Sequence, residues 1–210
     1  MSEWKDEIAT LLGQPVELLN LQANQREKLL LNTYRQNLKR ELPPGRKAKV
    51  HAAYVRVLDS RKQRPKYHLV YLTAHPRGII EFMTISEDID LVQKQVRASA
   101  KQAARAAKTG IDDMFGDDAH VDSNAGHVSI TEVMNYWVGY LAHGVRRVDE
   151  EQFSTLLEET DWFPGDFQRA LKGLIDAGKV RNLDASRPRP KRPLHWESGG
   201  EQLELREKAQ

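Results

Sequence analysis

Two N-terminal segments show the apolar spacing of amphipathic helices. Residues 2–12 follow Ser2, a good N-cap residue, and residues 24–42 end at Pro43, which cannot continue a helix. The apolar positions are Trp4, Ile8, Leu11 and Leu12 in the first segment, and Leu29, Leu30, Tyr34, Leu38 and Leu42 in the second. The pattern therefore predicts a short helix followed by a longer one.

The next segments change from helical spacing to strand-like runs. Residues 48–58 and 67–73 are rich in β-formers and flank a polar, basic loop at 59–66, which predicts an antiparallel hairpin. The hairpin ends at His75-Pro76-Arg77-Gly78, and apolar residues then return at helical spacing. An alanine-rich helix is predicted over residues 87–108.

Residues 109–127 mix Gly, Asp, Asn and Ser without periodicity, which indicates a linker. Helices are predicted at 130–141, 149–157 and 167–177, followed by a strand at 179–183, a proline-rich basic loop and a second strand at 194–196. Three helices and a two-stranded wing are typical of a winged helix-turn-helix. We therefore expect an α+β chain with an α/β module at 1–108, a linker at 109–127, a winged helix-turn-helix at 128–198 and a tail at 199–210.

The third of these helices is the candidate recognition helix. Its apolar face would bury Ala170, Leu171, Leu174 and Ile175, and Gly178 would end it. The opposite face would then present Gln168, Arg169 and Lys172 to a nucleic-acid groove.

Basic residues form three clusters, although 32 Lys and Arg against 30 Asp and Glu leave a net charge of only +2. The wing has Arg181, Arg187, Arg189, Lys191 and Arg192; the alanine-rich helix has Lys94, Arg97, Lys101, Arg105 and Lys108; the hairpin loop has Arg61, Lys62, Arg64 and Lys66. Such segregation is typical of a surface that binds nucleic-acid phosphates, and we expect the wing and helix clusters to share one side of the molecule. The alternatives are solvated basic surfaces or contacts with an acidic protein.

The sequence lacks the motifs that are typical of several other function classes. The chain has no cysteine, and it contains no phosphate-binding loop and no nucleophile elbow. A metal site is not expected at the acidic segment containing Asp112, Asp113, Asp117, Asp118, His120 and Asp122, because its spacing matches no calcium loop. His75 has no orienting carboxylate or nucleophile nearby in the sequence, so a capping or phosphate-contacting role is favoured over catalysis.

The chain also lacks a signal peptide pattern and a long apolar span. We therefore expect a cytoplasmic protein that has no cofactor, no small-molecule substrate and no membrane contact. Catalysis by this chain alone is not expected.

The sequence resembles the three-Cys-motif partner protein family. The similar residues are those of the two hairpin runs, 53–57 and 67–72, then His75, Gly78 and Met83, and the region from Ala170 through the arginine-rich wing. In that family an N-terminal half resembles a class I methyltransferase and the C-terminal half ends in a winged helix. The resemblance covers only the C-terminal half, so no cofactor-binding or catalytic residue is transferred, and the hairpin would correspond to the last strands of a methyltransferase-like sheet.

The resemblance implies a multi-component system of mobile elements or antiviral defence, with a protein partner encoded elsewhere. Together with the basic clusters, it favours a non-catalytic subunit that binds DNA or RNA. The alternative is an assembly subunit that completes a split methyltransferase-like or other enzyme complex. A hydrolase that uses His75 or the acidic segment is the third hypothesis.

Overall fold

The computed structural model describes residues 9, 22–41, 50–59, 65–109, 128–187 and 189–206, which contain helices and two small antiparallel sheets. The chain is therefore α+β, as the sequence predicts. The helix predicted at 2–12 lies outside the described residues except for Ala9, which is helical. The described part contains no helix with the length and apolar character needed to cross a bilayer.

The N-terminal part consists of helix α1 (Ala23–Arg40), strands β1 (His51–Leu58) and β2 (Pro65–Thr73), and helix α2 (Pro76–Thr109). β1 and β2 pair antiparallel, with His51 opposite Thr73 and Val57 opposite Tyr67, so the predicted hairpin is confirmed. α2 is one continuous helix of 34 residues. The predicted alanine-rich segment at 87–108 makes up about the last two thirds of this helix.

The corner between β2 and α2 is held by a helix-capping contact and by close packing of Gly78. Pro76 is the first residue of α2, and the amide of Arg77 donates to Nδ1 of His75 at 3.2 Å. Gly78 lies so close to Thr73 that an added Cβ would be 2.8 Å from Oγ1 of that residue. His75 therefore caps the first turn of α2, which supports the capping role expected from the sequence.

The C-terminal part contains α3 (Ile130–Leu141), β3 (Arg146–Val148), α4 (Glu150–Thr160), α5 (Pro164–Asp176), β4 (Val180–Asn182) and β5 (Glu201–Leu205). Asp149 caps α4 by accepting from the amide of Gln152 at 2.9 Å. α5 begins with Pro164, whose missing amide costs nothing at this position. It ends at Asp176, and Gly178 two residues later has φ at +68° while the amide of Lys179 donates to the carbonyl of Leu174.

The C-terminal sheet differs from the predicted two-stranded wing. It has three strands in the order β3-β5-β4, with β5 antiparallel to both neighbours. The strand predicted at 194–196 is wrong, because this segment is a loop in which Leu194 and Trp196 are buried. β5 lies within the segment expected to be a tail, and β3 was not predicted.

One hydrophobic core includes residues from both sides of the expected linker. Trp137, Phe153 and Phe167 pack edge to face at its centre, with ring centroids 5.6–5.7 Å apart. Ala53 of β1 and Ile79 and Met83 of α2 belong to the same cluster of buried residues. The hairpin and α2 are therefore packed on α3–α5 and are not a separate body with its own core.

A buried ion pair attaches α1 to this unit. Arg35 forms a bidentate pair with Asp161, with N–O distances of 2.5 and 3.3 Å, and its Nη1 also donates to the carbonyl of Ala52 at 3.2 Å. Asp161 follows α4 with φ at +59°, the left-handed conformation. α1, β1 and the turn between α4 and α5 are thus joined at one buried point.

Candidate nucleic-acid interface

The face of α5 that was expected to read a groove is largely occupied within the protein. Gln168 is only 8% exposed, and its amide group both donates to the carbonyl of Leu194 at 2.8 Å and accepts from the Leu194 amide at 3.2 Å. The side chain therefore holds the loop between β4 and β5 against α5. Its prediction as an exposed contact residue is wrong, because the folded-back loop covers it.

The two cations on α5 have acidic partners. Arg169 lies 2.5 Å from Asp166 and 3.8 Å from Glu87 of α2, and Lys172 pairs with Asp176 one turn later. A phosphate that approached either cation would compete with a carboxylate already in place. Both residues remain partly exposed, but their charge is largely compensated.

Helix α2 also covers the N-terminus of α5. Oε2 of Glu87 accepts from the amide of Gly165 at 2.9 Å, so a carboxylate from α2 already satisfies this end of α5. Burial raises the pKa of Glu87, although the hydrogen bond from the Gly165 amide opposes the change. The first turn of α5 is therefore closed to an incoming phosphate.

The loop from 183 to 200 is anchored to the core at several points. Trp196 stacks on Phe153 of α4 with ring centroids 4.2 Å apart, and Leu194 is buried beside it. Below them, the carboxylate of Glu201 accepts from the His195 amide at 2.8 Å and from Nδ2 of Asn182 at 2.7 Å. The described part of this basic loop is therefore folded against α4 and α5, and we call the loop the strap.

Gly200 closes this strap at the start of β5. Its φ is +71°, and an added Cβ would collide with the backbone carbonyl of Val148 and with the backbone of Asp149. We expect Gly200→Ala to lower the free energy of unfolding by about 2 kcal/mol or more, because both strain and backbone displacement add to the cost. Urea denaturation of the two proteins measures this difference. A decrease of less than about 0.5 kcal/mol in the free energy of unfolding would contradict the close packing of β5 against β3.

The wing cations, which are Arg181 of β4 and the four cations of the strap, fall into two groups. Arg189 pairs with Glu201 at 2.6 Å, and Arg192 pairs with Glu197 at 2.7 Å while its guanidinium lies 4.6 Å from the centre of the Trp196 ring. Within the described part of the chain, no ion pair involves the other three cations, all exposed: Arg181, Arg187 and Lys191. These three residues are the wing cations that remain available to a ligand.

Strand β3 adds a further cation, Arg147, that the sequence pattern does not predict. Its Nη1 donates to the carbonyls of Gly199 and Gly200 at 3.2 and 3.0 Å, and its Nη2 lies 3.8 Å from Asp184, so its charge lies beside the strap and is partly compensated. Arg146 instead lies over the Tyr140 ring, 5.0 Å from its centre. A three-residue strand gives little periodic signal, which is why β3 and its arginines were not recognised.

The basic stripe of α2 consists of Lys94, Arg97, Lys101, Arg105 and Lys108, as predicted from their spacing. Lys94 pairs with Asp90 at 2.9 Å, whereas Arg97 and Lys108 make no ion pair with another described residue. The last three cations of the stripe are exposed. The stripe is therefore a second cationic region, separate from the strap.

The strap reaches α2 through α5. Gln168 holds Leu194 of the strap against α5, and Arg169 of the same helix lies 3.8 Å from Glu87 of α2. Glu87 precedes Lys94, the first cation of the stripe, by about 10 Å along the helix axis, and the stripe then extends over about 20 Å. That the wing and helix clusters share one side of the molecule stays a prediction.

Two further sequence hypotheses fall mostly on residues that the structure does not describe. The acidic segment at Asp112, Asp113, Asp117, Asp118, His120 and Asp122 lies outside the described residues, as do Arg61, Lys62 and Arg64 of the hairpin loop. Lys66 is described and exposed. Elsewhere in the described ranges, no group of three or more His, Asp or Glu side chains could hold a metal ion.

The comparisons with known proteins add no family to these observations. No protein-family model, no curated protein and no solved structure matches the chain.

Proposed function

We propose that this protein is a non-catalytic subunit that binds nucleic acid, DNA or RNA, through phosphate contacts of a winged helix-turn-helix. The order α3-β3-α4-α5-β4-β5 and the position of β5 between β3 and β4 support the winged-helix assignment. α4 and α5 are joined by three residues, the length of a helix-turn-helix turn, and Asp161 adopts the left-handed conformation that glycine often supplies there.

The observation that carries the proposal is a set of exposed cations on β4 and the strap that form no ion pair with another described residue: Arg181, Arg187 and Lys191. Trp196 and Glu201 anchor the strap to the protein core, so nucleic-acid binding would immobilise little additional chain. α5 is occupied by Glu87 and Leu194 and is not expected to read bases. The proposed binding is therefore electrostatic and largely independent of sequence.

A salt titration tests this proposal. The logarithm of the binding constant for a 20-bp duplex should fall linearly with the logarithm of salt concentration, and each phosphate contact contributes about 0.9 to the slope. We expect the triple variant Arg181→Ala, Arg187→Ala, Lys191→Ala to reduce the slope by about 2–3. An unchanged slope would reject the strap as the phosphate-binding element.

The matched control changes cations that already have carboxylate partners. The double variant Arg169→Ala, Lys172→Ala should leave the slope within about 0.5 of the wild-type value, because these charges are compensated by Asp166, Glu87 and Asp176. Duplexes of unrelated sequence should bind with similar affinity. If the control variant instead showed a large decrease in salt slope and the protein strongly preferred one duplex sequence, α5 would be the recognition helix.

The second candidate function is protein assembly, and a different observation favours it. Large apolar side chains are about half-exposed on one side of the hairpin and α2: Tyr67, Leu69, Tyr71, Ile85, Ile89, Val92 and Val96. Tyr71 stacks on Phe82 of α2 with ring centroids 4.8 Å apart, and Leu69 lines the same groove as Ile85 and Ile89. The exposed apolar residues of the hairpin therefore lie next to those of α2 on the protein surface. A contiguous apolar face of this kind is typical of a binding surface.

A further inference from the structure

The three-stranded sheet of the C-terminal part has an inner face on the core and an outer face toward solvent. Val148, Val180 and Leu203 are buried in the core cluster, one from each strand. Because side chains alternate between the two faces along a strand, the residues next to these three point outward. They are Arg147 on β3, Arg181 on β4, and Gln202 and Glu204 on β5.

The pairing of β4 with β5 continues by one residue beyond the ends of the strands. The amide of Arg206 donates to the carbonyl of Lys179 at 2.8 Å, which continues the register that places Arg181 opposite Glu204. Each of the two residues lies two positions from an outward-facing residue of its own strand, and both are exposed. Lys179 and Arg206 therefore form a cross-strand pair on the outer face.

This pair places two positive charges directly opposite each other. Residues opposite one another on antiparallel strands have Cβ atoms about 4.5–5.5 Å apart, and like charges at this distance destabilise the sheet. Within the described ranges, neither Lys179 nor Arg206 forms an ion pair with a carboxylate that would offset the repulsion. Arg181 lies about 6.6 Å from Lys179 along β4 and extends the same group of exposed cations.

We propose that the outer face of this sheet is a phosphate-binding surface, on which Lys179 and Arg206 hold one phosphate of a nucleic acid between them and Arg181 contacts the next. The inference rests on the proposed nucleic-acid binding and adds Lys179 and Arg206 to its binding residues. A phosphate accepts hydrogen bonds from both an ammonium and a guanidinium group. An anion between the two cations therefore replaces one repulsion by two attractions.

The charges of the outer face favour an anionic ligand. Its nearest acids are Glu204, which lies opposite Arg181, and Asp184, which lies 3.8 Å from Arg147. The described cations of this face outnumber these two acids: Arg147, Lys179, Arg181 and Arg206. The outer face therefore keeps a positive charge, whereas both cations of α5 are compensated by carboxylates.

A salt titration of duplex binding by the full chain tests this site. The double variant Lys179→Ala, Arg206→Ala should reduce the salt slope for a 20-bp duplex by about 1–2, because each lost phosphate contact removes about 0.9. The matched control Arg26→Ala, Arg40→Ala removes the same charge from exposed positions of α1 and should change the slope by less than about 0.5. An unchanged slope in the Lys179 and Arg206 variant would overturn the inference.

The Glu204→Gln variant tests the same face in the opposite direction. Glutamine keeps the shape of the side chain and removes the negative charge next to the proposed phosphate positions, so duplex affinity should increase about 3-fold at about 0.15 M salt. The matched control Glu132→Gln removes an equal charge from the first turn of α3 and should change affinity by less than about 1.5-fold. Equal effects of the two variants would mean that only net charge matters and would also overturn the inference.

These measurements separate the inference from the proposed function. If the triple variant of Arg181, Arg187 and Lys191 lowers the salt slope and the Lys179 and Arg206 variant does not, nucleic acid binds the strap without the cross-strand pair, and only the inference fails. If the wild-type chain binds neither a duplex nor a single strand, the proposed function fails as well. Binding of polyglutamate but not of nucleic acid would assign the outer face to an acidic protein and overturn both.

Discussion

The Arg35→Met variant is expected to lose about 3–5 kcal/mol of unfolding free energy, the usual cost of removing one member of a buried ion pair. Arg35 and Asp161 are both under 10% exposed, and methionine would fill much of the volume without supplying the charge. The Asp161 carboxylate would then remain buried without its bidentate guanidinium. Denaturant unfolding followed by circular dichroism measures the loss.

Two variants make this result specific to the ion pair. Arg40→Ala removes an exposed cation from the last turn of α1 and should change stability by no more than about 0.5 kcal/mol. Adding Asp161→Asn to Arg35→Met should recover part of the loss, because asparagine removes the buried charge and still tolerates the left-handed backbone. A loss below about 1 kcal/mol in Arg35→Met would mean that the pair contributes little to holding α1.

The Glu201→Ala variant is expected to cost about 3 kcal/mol and to loosen the strap. The carboxylate accepts from the His195 amide and Asn182 through one oxygen, and from Arg189 at 2.6 Å through the other. Its removal leaves buried donors without their acceptor, which is more costly than the loss of an average hydrogen bond. Glu204→Ala on the same strand is the matched control and should stay within about 0.5 kcal/mol of wild type.

The same contacts predict a pH dependence. Burial would raise the pKa of Glu201, but hydrogen bonds from the His195 amide, Asn182 and Arg189 outweigh it and lower the pKa below the ordinary value of 4.5. The ionised group therefore stabilises the fold above about pH 4.5, and this contribution disappears as the pH falls through the lower, folded-state pKa. We expect the stability difference between wild type and Glu201→Gln to shrink over that acidic range, whereas a constant difference would contradict the lowered pKa.

Strap anchoring connects stability to the proposed function. Glu201 and Trp196 hold the segment that presents Arg187 and Lys191, so loosening the strap should weaken phosphate binding without removing a phosphate-binding cation. Because Glu201→Ala would also free Arg189 from its carboxylate, Trp196→Ala is the variant that tests this, and it should lower duplex affinity while leaving the salt slope nearly unchanged. This behaviour differs from that expected for the triple cation variant, in which the slope itself falls.

Local sequence pattern determined the helices and the hairpin. The 3.6-residue period at 24–42, 130–141 and 167–177 is strong, and each predicted helix lies close to an observed one, because burial of one helix face imposes that period directly. The hairpin followed from two β-rich runs around a polar loop. The stripe of cations on α2 also followed from spacing alone, since a straight helix carries such residues on one side.

Tertiary structure decided which of those cations are available. Spacing separated Arg169 and Lys172 from the apolar face of α5 but wrongly placed Gln168 with them. Glu87 and Leu194, whose contacts occupy the remaining surface, lie 78 and 26 residues away in sequence from Gly165 and Gln168. β3 and β5 are stabilised by pairing with each other, so neither had a clear signal in its own residues.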